Sequence, residues 1–240
     1  MKRDLQVIAR SFLVIGAYAL VRAGVYHFLP ATSQEAWCMR DDVMTIPRLM
    51  AFTTLLLVNR DWNSANFRLT LKDIWRAMYW GIIPVALWVF YFSCGYGQAF
   101  TPYKIAAGCF ASLVVGLLEE YAFRGPLLSA LRGRTSVVAT TALTAALFTI
   151  YHIQAQPFTH WGAIFLMGVI FANLRFRGLS VIGLTLIHWI IDALYFCFTD
   201  RTPDPFGFVW VAFQVGLLVY AVVTLPRPGV TGINHGPLHV

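Results

Sequence analysis

The sequence predicts an all-α protein: a polytopic membrane helix bundle of about eight transmembrane helices, with N and C termini cytoplasmic. Two observations carry that reading. Of 240 residues 58% are hydrophobic and only 12% charged, against about 25% charged in an ordinary soluble domain, and mean hydropathy is +0.66. The apolar residues also fall in runs of about 20, the length that crosses a hydrocarbon core as a helix. The formal charge of +7 is no sign of a nucleic-acid partner, because no basic cluster alternates with aromatics. Lys and Arg stand instead at the ends of apolar runs, where they set topology.

In chain order the expected spans cover about residues 7 to 29, 40 to 58, 74 to 94, 104 to 130, 136 to 156, 159 to 175, 179 to 199 and 207 to 225. The first is too long for a signal-peptide core and lacks a small-residue cleavage site, so it reads as a retained helix. The second is the weakest, since Pro47 and Arg48 interrupt its start and its clean run, Met50 to Val58, is short. With the N-terminus inside, the inner side receives Lys2, Arg3, Arg10, Arg60, Arg68, Lys72, Arg76, Arg132, Arg134, Arg175, Arg177 and Arg227. The outer side receives Arg40, Arg48, Lys104 and Arg201, and Arg22 and Arg124 are left inside spans. That asymmetry obeys the positive-inside rule. No internal repeat or long loop divides the chain, so it reads as one structural domain. Its parts are N-terminal helices (1–103), a polar-bearing helical core (104–200), and a last helix with a short tail (201–240). Short loops and the lack of a targeting extension point to a multi-pass protein of a bacterial cytoplasmic membrane.

Ionisable groups inside a bilayer are costly, roughly 2.5–3.5 kcal/mol each on insertion scales, so those within spans mark the candidate site. Among the acids only Glu119, Glu120 and Asp192 fall well inside spans; Asp41 and the others map to loops or termini. Helical spacing assigns faces, because residues four apart stack while neighbours diverge by about 100°. Glu120 and Arg124 are thus an opposite-charge pair with a structural role, and Glu119 points elsewhere, free to hold a water. Phe148 lies beneath His152 on one face, where it restricts the imidazole and keeps it dry. His188 and Asp192 are again four apart. A carboxylate and an imidazole can deprotonate water, and a second imidazole can stabilise an oxyanion. No Ser or Cys sits in a nucleophile motif, which argues for direct attack by water.

Other residues read as structural. Cys38, Cys94, Cys109 and Cys197 have no metal or redox spacing and read as packing residues. His27, Trp37, Trp62, Trp75, His160, Trp161 and Trp210 read as interfacial. Gly108, Gly116, Gly162 and Gly168 read as sites of close helix approach.

Glu119-Glu120…Arg124, Phe148…His152 and His188…Asp192, each on its own span and in that order, resemble the CAAX-processing and bacteriocin-immunity family of glutamic-type intramembrane endopeptidases. The resemblance covers about residues 104 to 200. It implies that Glu119 activates the hydrolytic water with His152, and that His188 with Asp192 forms the oxyanion side. That last position is often Asn in the prenyl-protein proteases. An ionised carboxylate only accepts hydrogen bonds, so Asp192 must be protonated or serve to orient His188. The function expected is hydrolysis near the C-terminal end of a membrane-associated protein or peptide, prenylated or tail-anchored. No cofactor is expected; Glu119, His152 and His188 are the residues that could hold zinc, but no H-E-x-x-H pair is present. The alternative is a non-enzymatic immunity factor or a proton-coupled carrier using the same groups as a relay, although a carrier would show duplicated halves. The expected site lies near mid-depth and leans outward. The polar segment after His152 lies outside, and His188 stands roughly 13 Å above Arg177-Gly178 at 1.5 Å per residue.

Overall fold

In hydrocarbon each backbone N–H and C=O must find its partner within its own segment, so the apolar runs become helices. The computed structural model describes residues 2–30, 34–59, 69–94, 102–198 and 207–226, without the side chains of 34–38, 102–104 and 196–198. Several expectations therefore lie outside the described residues. They concern Arg60, Trp62, Arg68, Arg201, Arg227, the tail after Pro226, and the side chains of Trp37, Cys38, Lys104 and Cys197.

Among the described residues every regular element is helical: α1 (Lys2–Phe28), α2 (Gln34–Val58), α3 (Leu71–Ser93), α4 (Pro102–Arg124), α5 (Pro126–Arg132) and α6 (Val137–His152) come first. A single 3-10 turn at Phe158–His160 follows, then α7 (Trp161–Phe176), α8 (Val181–Phe198) and α9 (Phe208–Val223). Helix starts follow local chemistry. Thr70 and Asp73 form a capping box ahead of α3, and the Ser136 side chain accepts from Ala139 N–H ahead of α6. By length and composition three stretches could each cross a membrane, Lys2–Phe28, Leu71–Ser93 and Ile105–Arg132. The fold is thus an all-helical bundle of membrane type.

Two expectations about the helices are corrected. The fourth span is two helices, because Gly125 leaves helical geometry (φ −86°, ψ −122°) and Pro126 opens α5; proline at the first helical position has no N–H to lose and blocks the α conformation before it. The second span starts at Gln34 rather than near residue 40 and runs through Pro47. Asp41 and Arg48 are consequently not surface residues. They are buried as an ion pair within α2, and Arg48 also donates to the Asp41 carbonyl at 3.0 Å.

Among the described residues the core has two large centres and a small third one of Leu128, Ala172 and Phe176. Tyr91, Phe92, Phe171, Trp210 and Phe213 dominate the first, built on α3, α7, α8 and α9. Tyr18, Leu55, Tyr121, Phe123 and Tyr151 dominate the second, built on α1, α2, α4 and α6. The expectation of an interfacial Trp210 fails here: it is buried, 5.3 Å from the Tyr91 ring and 5.1 Å from His160. The contacts α4 to α8 and α6 to α7 join the two centres. Small residues set both spacings. A Cβ on Gly116 would stand 3.3 Å from the Thr185 carbonyl oxygen, and one on Gly168 would stand 2.9 Å from the Ala145 Cα. The outer surface is as apolar as the core, with Leu13, Leu20, Phe28, Val138 and Phe208 all more than 70% exposed.

Basic side chains tie one end of the bundle together. Arg10 at the start of α1 donates to Val58 O at the end of α2, and Arg76 at the start of α3 to Gly178 O after α7. Arg177 reaches the Val223, Thr224 and Leu225 carbonyls at the end of α9. Cations thereby satisfy orphan carbonyls at helix C-termini. Replacing Gly168 by Val is expected to destabilise the protein by about 1–3 kcal/mol through backbone displacement, whereas Gly16→Ala, mid-helix with an added Cβ that meets nothing within 4 Å, should stabilise it by up to about 1 kcal/mol. Thermal unfolding of both variants in detergent checks this.

Candidate active site

The break after Arg124 places the end of α4 deep in the bundle, where Arg175 caps it by donating through Nε to the Arg124 carbonyl at 3.2 Å. Arg175 is therefore buried rather than at the surface as expected. One turn before the break stand Glu119 and Glu120, and their divergence around the helix gives them different neighbours. Glu120 is fully buried and accepts from Arg124 Nη1 at 3.3 Å; Arg124 is fully buried too. The guanidinium is enclosed by aromatic faces, 4.2 Å from the Phe148 centroid and 5.4 Å from that of Phe171, and its Nη2 donates to Gly168 O at 3.4 Å. Phe148 thus supports the arginine as well as His152.

Glu120 has a second partner that helical spacing cannot reveal. His188 on α8 places Nδ1 2.8 Å from the same Glu120 oxygen. A carboxylate so engaged accepts, so His188 Nδ1 is the donor and Nε2 is turned to the cavity side. There Nε2 lies 3.7 Å from Glu119 Oε2 and 3.5 Å from Asp192 Oδ2. His152, the last residue of α6, donates through Nδ1 to its own helix at Phe148 O, 2.7 Å away. A carbonyl cannot donate, which leaves the His152 Nε2 lone pair facing Glu119 Oε2 at 3.6 Å. The Phe148 ring packs 4.4 Å from the His152 ring. Glu119 Oε2 is buried and makes no hydrogen bond among the described residues, since both imidazole nitrogens stand beyond direct bonding range.

All the expected site residues therefore meet at one place, the seam between the two core centres. Glu119, Phe148, His152, His188 and Asp192 line a cavity of about 160 Å³, with Glu120 and Arg124 behind it. Asp192 is the most exposed of the ionisable set, its side chain 31% accessible. Trp88, Tyr91, Phe92, Phe171 and Tyr195 give the cavity an apolar wall. Sequence reasoning missed a third component. Arg22, Tyr26, Asp41 and Arg48, from α1 and α2, line the cavity as well. Arg22 carried a signal, a cation left within a span; Asp41 and Arg48 carried none once placed at a helix end. His160, expected at an interface, also lines the cavity. Among the described residues no group of three or more His, Cys, Asp or Glu side chains is disposed to hold a metal ion.

The Rce1-like family model, described as type II CAAX prenyl endopeptidase Rce1-like, matches residues 101–194. That stretch runs from the start of α4 into the last turns of α8 and contains Glu119, Glu120, Arg124, Phe148, His152, His188 and Asp192. Over residues 101–194 the chain is thus similar to the Rce1-like family, and the match supports endopeptidase activity of the CAAX type in general terms. It does not favour the immunity-factor or carrier alternative. No curated protein and no solved structure matches the chain.

Removing one member of the buried Glu120–Arg124 pair leaves the other charge uncompensated, so Arg124→Gln is expected to cost about 3–5 kcal/mol. Glu120→Gln combined with Arg124→Gln should recover part of that loss. A double-mutant cycle on thermal unfolding measures it, and additive losses would mean the two groups do not interact.

Proposed function

We propose that the protein is a glutamic-type intramembrane endopeptidase that hydrolyses a peptide bond near the C-terminal end of a membrane-associated protein or peptide. The observation that carries the reading is the position of Glu119 Oε2, facing His152 Nε2 at 3.6 Å and His188 Nε2 at 3.7 Å on the wall of the cavity. In this reading Glu119 and His152 hold the water and take its proton as it attacks the scissile carbonyl. The developing oxyanion is met by His188 as an imidazolium: Nδ1–H is held by Glu120, with Arg124 behind, and Nε2–H, oriented by Asp192, donates from the cavity side. The proton then passes to the leaving amine. No resident cofactor is invoked, because a carboxylate and an imidazole suffice for general-base activation of water. The apolar wall of Trp88, Tyr91, Phe92 and Phe171 suits a prenyl group or the apolar side chains of a membrane-anchored tail.

We further propose eight membrane crossings as one domain in a bacterial cytoplasmic membrane, both termini cytoplasmic. The supporting pattern is the bond set of Arg10, Arg76 and Arg177, which gathers cations at one end of the bundle. The cavity reaches toward the opposite end, through Tyr26, Gln156, His160 and Tyr195. That orientation makes it accessible from outside and favours an exported, lipid-anchored substrate over a cytosolic one.

Glu119→Gln and His152→Ala should each lower kcat for membrane-tethered peptides by roughly 10²- to 10⁴-fold while leaving thermal unfolding in place, and a chelator should have no effect. Equal cleavage by parent and Glu119→Gln would overturn the mechanism. Orientation is read independently by labelling with a membrane-impermeant maleimide in a cysteine-free background. Gln156→Cys should react in intact cells and Gly133→Cys only after lysis; the reverse pattern would invert the topology.

A further inference from the structure

We propose that the start of α3 and the turn between α7 and α8 form a binding site for the phosphate headgroup of an anionic phospholipid. The inference rests on the membrane character of the bundle and is independent of what the cavity does. Lys72, Arg76 and Trp80 recur at intervals of four and therefore share one face of α3. Arg76 Nη1 donates to Gly178 O in the α7–α8 turn at 3.4 Å. The residue before that glycine, Arg177, lays its guanidinium back over the Trp80 ring, 4.9 Å from the centroid. Cations from two distant parts of the chain thus converge on one indole.

Among the described residues neither guanidinium has a carboxylate partner, whereas Arg48 is neutralised by Asp41 and Arg124 by Glu120. The only acid of α3, Asp73, is engaged in the capping box: its Oδ2 accepts from Thr70 N–H at 3.2 Å and from the Thr70 hydroxyl at 2.6 Å. Arg177 commits Nε and Nη2 to the carbonyls of Val223, Thr224 and Leu225 and keeps Nη1, while Arg76 keeps Nε and Nη2. Carbonyls satisfy donors but do not neutralise charge, and like charges gathered at the edge of a low-dielectric medium repel. Clamping of helix ends explains the carbonyl bonds. It leaves unexplained an excess of positive charge and unused N–H groups on one face.

The occupant follows from charge and from where the site lies. Leu71–Ser93 is one of the stretches long and apolar enough to cross a membrane, so its first turns stand at the level of the headgroups. Trp75 and Tyr79, again four apart, are exposed beside the cations, the amphipathic aromatics of such a boundary. Further into the bilayer Ile82 on α3 is exposed, as are Val219 and Val222 near the end of α9. A phosphodiester accepts from the guanidinium N–H groups in the geometry they offer, and its acyl chains lie against the apolar flanks. A soluble phosphate gains the first contact and not the second. A zwitterionic lipid brings its own cation, so the uncompensated charge of Lys72, Arg76 and Arg177 selects an anionic one.

The test is thermal unfolding of the whole protein in neutral maltoside micelles with dioleoyl phosphatidylglycerol, dioleoyl phosphatidylcholine or inorganic phosphate added. Phosphatidylglycerol should raise the midpoint by about 3 °C or more above phosphatidylcholine, because a lipid held there joins α3 to the α7–α8 turn. Arg76→Gln, at an exposed position, should remove at least half of that difference. Arg177→Gln should do the same, and if the loss of its bonds to the end of α9 prevents folding, Arg76→Gln decides. Arg10→Gln alters an exposed cation at the same end of the bundle but outside the cluster, and should leave the difference in place. Native mass spectrometry should retain one phosphatidylglycerol on the unaltered protein and lose it in Arg76→Gln. Equal shifts with the two lipids overturn the proposal, since the charge then selects nothing. So does an equal loss in Arg10→Gln and Arg76→Gln, which means a diffuse surface charge, or a shift from inorganic phosphate as large as that from phosphatidylglycerol, which means an anion pocket without lipid. Cleavage of peptides is not part of the readout, so loss of the hydrolase reading leaves this one standing.

Discussion

The site hangs on one buried network, Arg124 to Glu120 to His188. Glu120 and Arg124 are both removed from solvent, in surroundings where an attraction at 3.3 Å is screened far less than in water. Neither can leave without stranding the other. Because Glu120 spends the same oxygen on His188 Nδ1 at 2.8 Å, the pair also fixes which nitrogen of His188 faces the cavity. Arg124 in turn is held by the Gly168 carbonyl and the faces of Phe148 and Phe171. The orientation of the second imidazole therefore depends on contacts from α4, α6, α7 and α8 at once.

Such a network needs helices closer together than bulky side chains allow. In a bilayer the lipid is as apolar as the core, so close association relies on packing and polar contacts rather than on burial from water. Gly116 and Gly168 provide the approach. The first lets α4 meet α8 beside His188, and the second lets α7 meet α6 and offer its carbonyl to Arg124. The break at Gly125-Pro126 completes the arrangement by ending α4 within reach of Arg175.

The cavity is polar in a directed way. Its acids come from α2, α4 and α8, its imidazoles from α6, α8 and the 3-10 turn, its aromatic wall from α3, α7 and α8, and its cations from α1 and α2. The N-terminal helices, which bear no motif, thus form part of the site wall as well as the scaffold.

What the sequence by itself determined is the part governed by local periodicity. Runs of about 20 apolar residues define helices because the bilayer leaves the backbone no other partner. Spacing of four sets Glu120 with Arg124, Phe148 with His152 and His188 with Asp192, because each pair lies on one face of its own helix. Glu119 stood out as the carboxylate without a partner on its own helix. Only the tertiary structure decided the rest. The His188–Glu120 bond joins residues 68 apart. The Asp41–Arg48 pair looked peripheral while α2 was read as starting near residue 40, and it becomes a buried cavity wall once the helix begins at Gln34 and continues through Pro47. Trp210 read as interfacial from its place near a span end and is packed in the aromatic core. Arg22 was legible as an anomaly, a cation within a span, but not as a cavity residue. Which helix faces which is set by long-range packing of small and aromatic side chains, and no periodicity within a single helix encodes it.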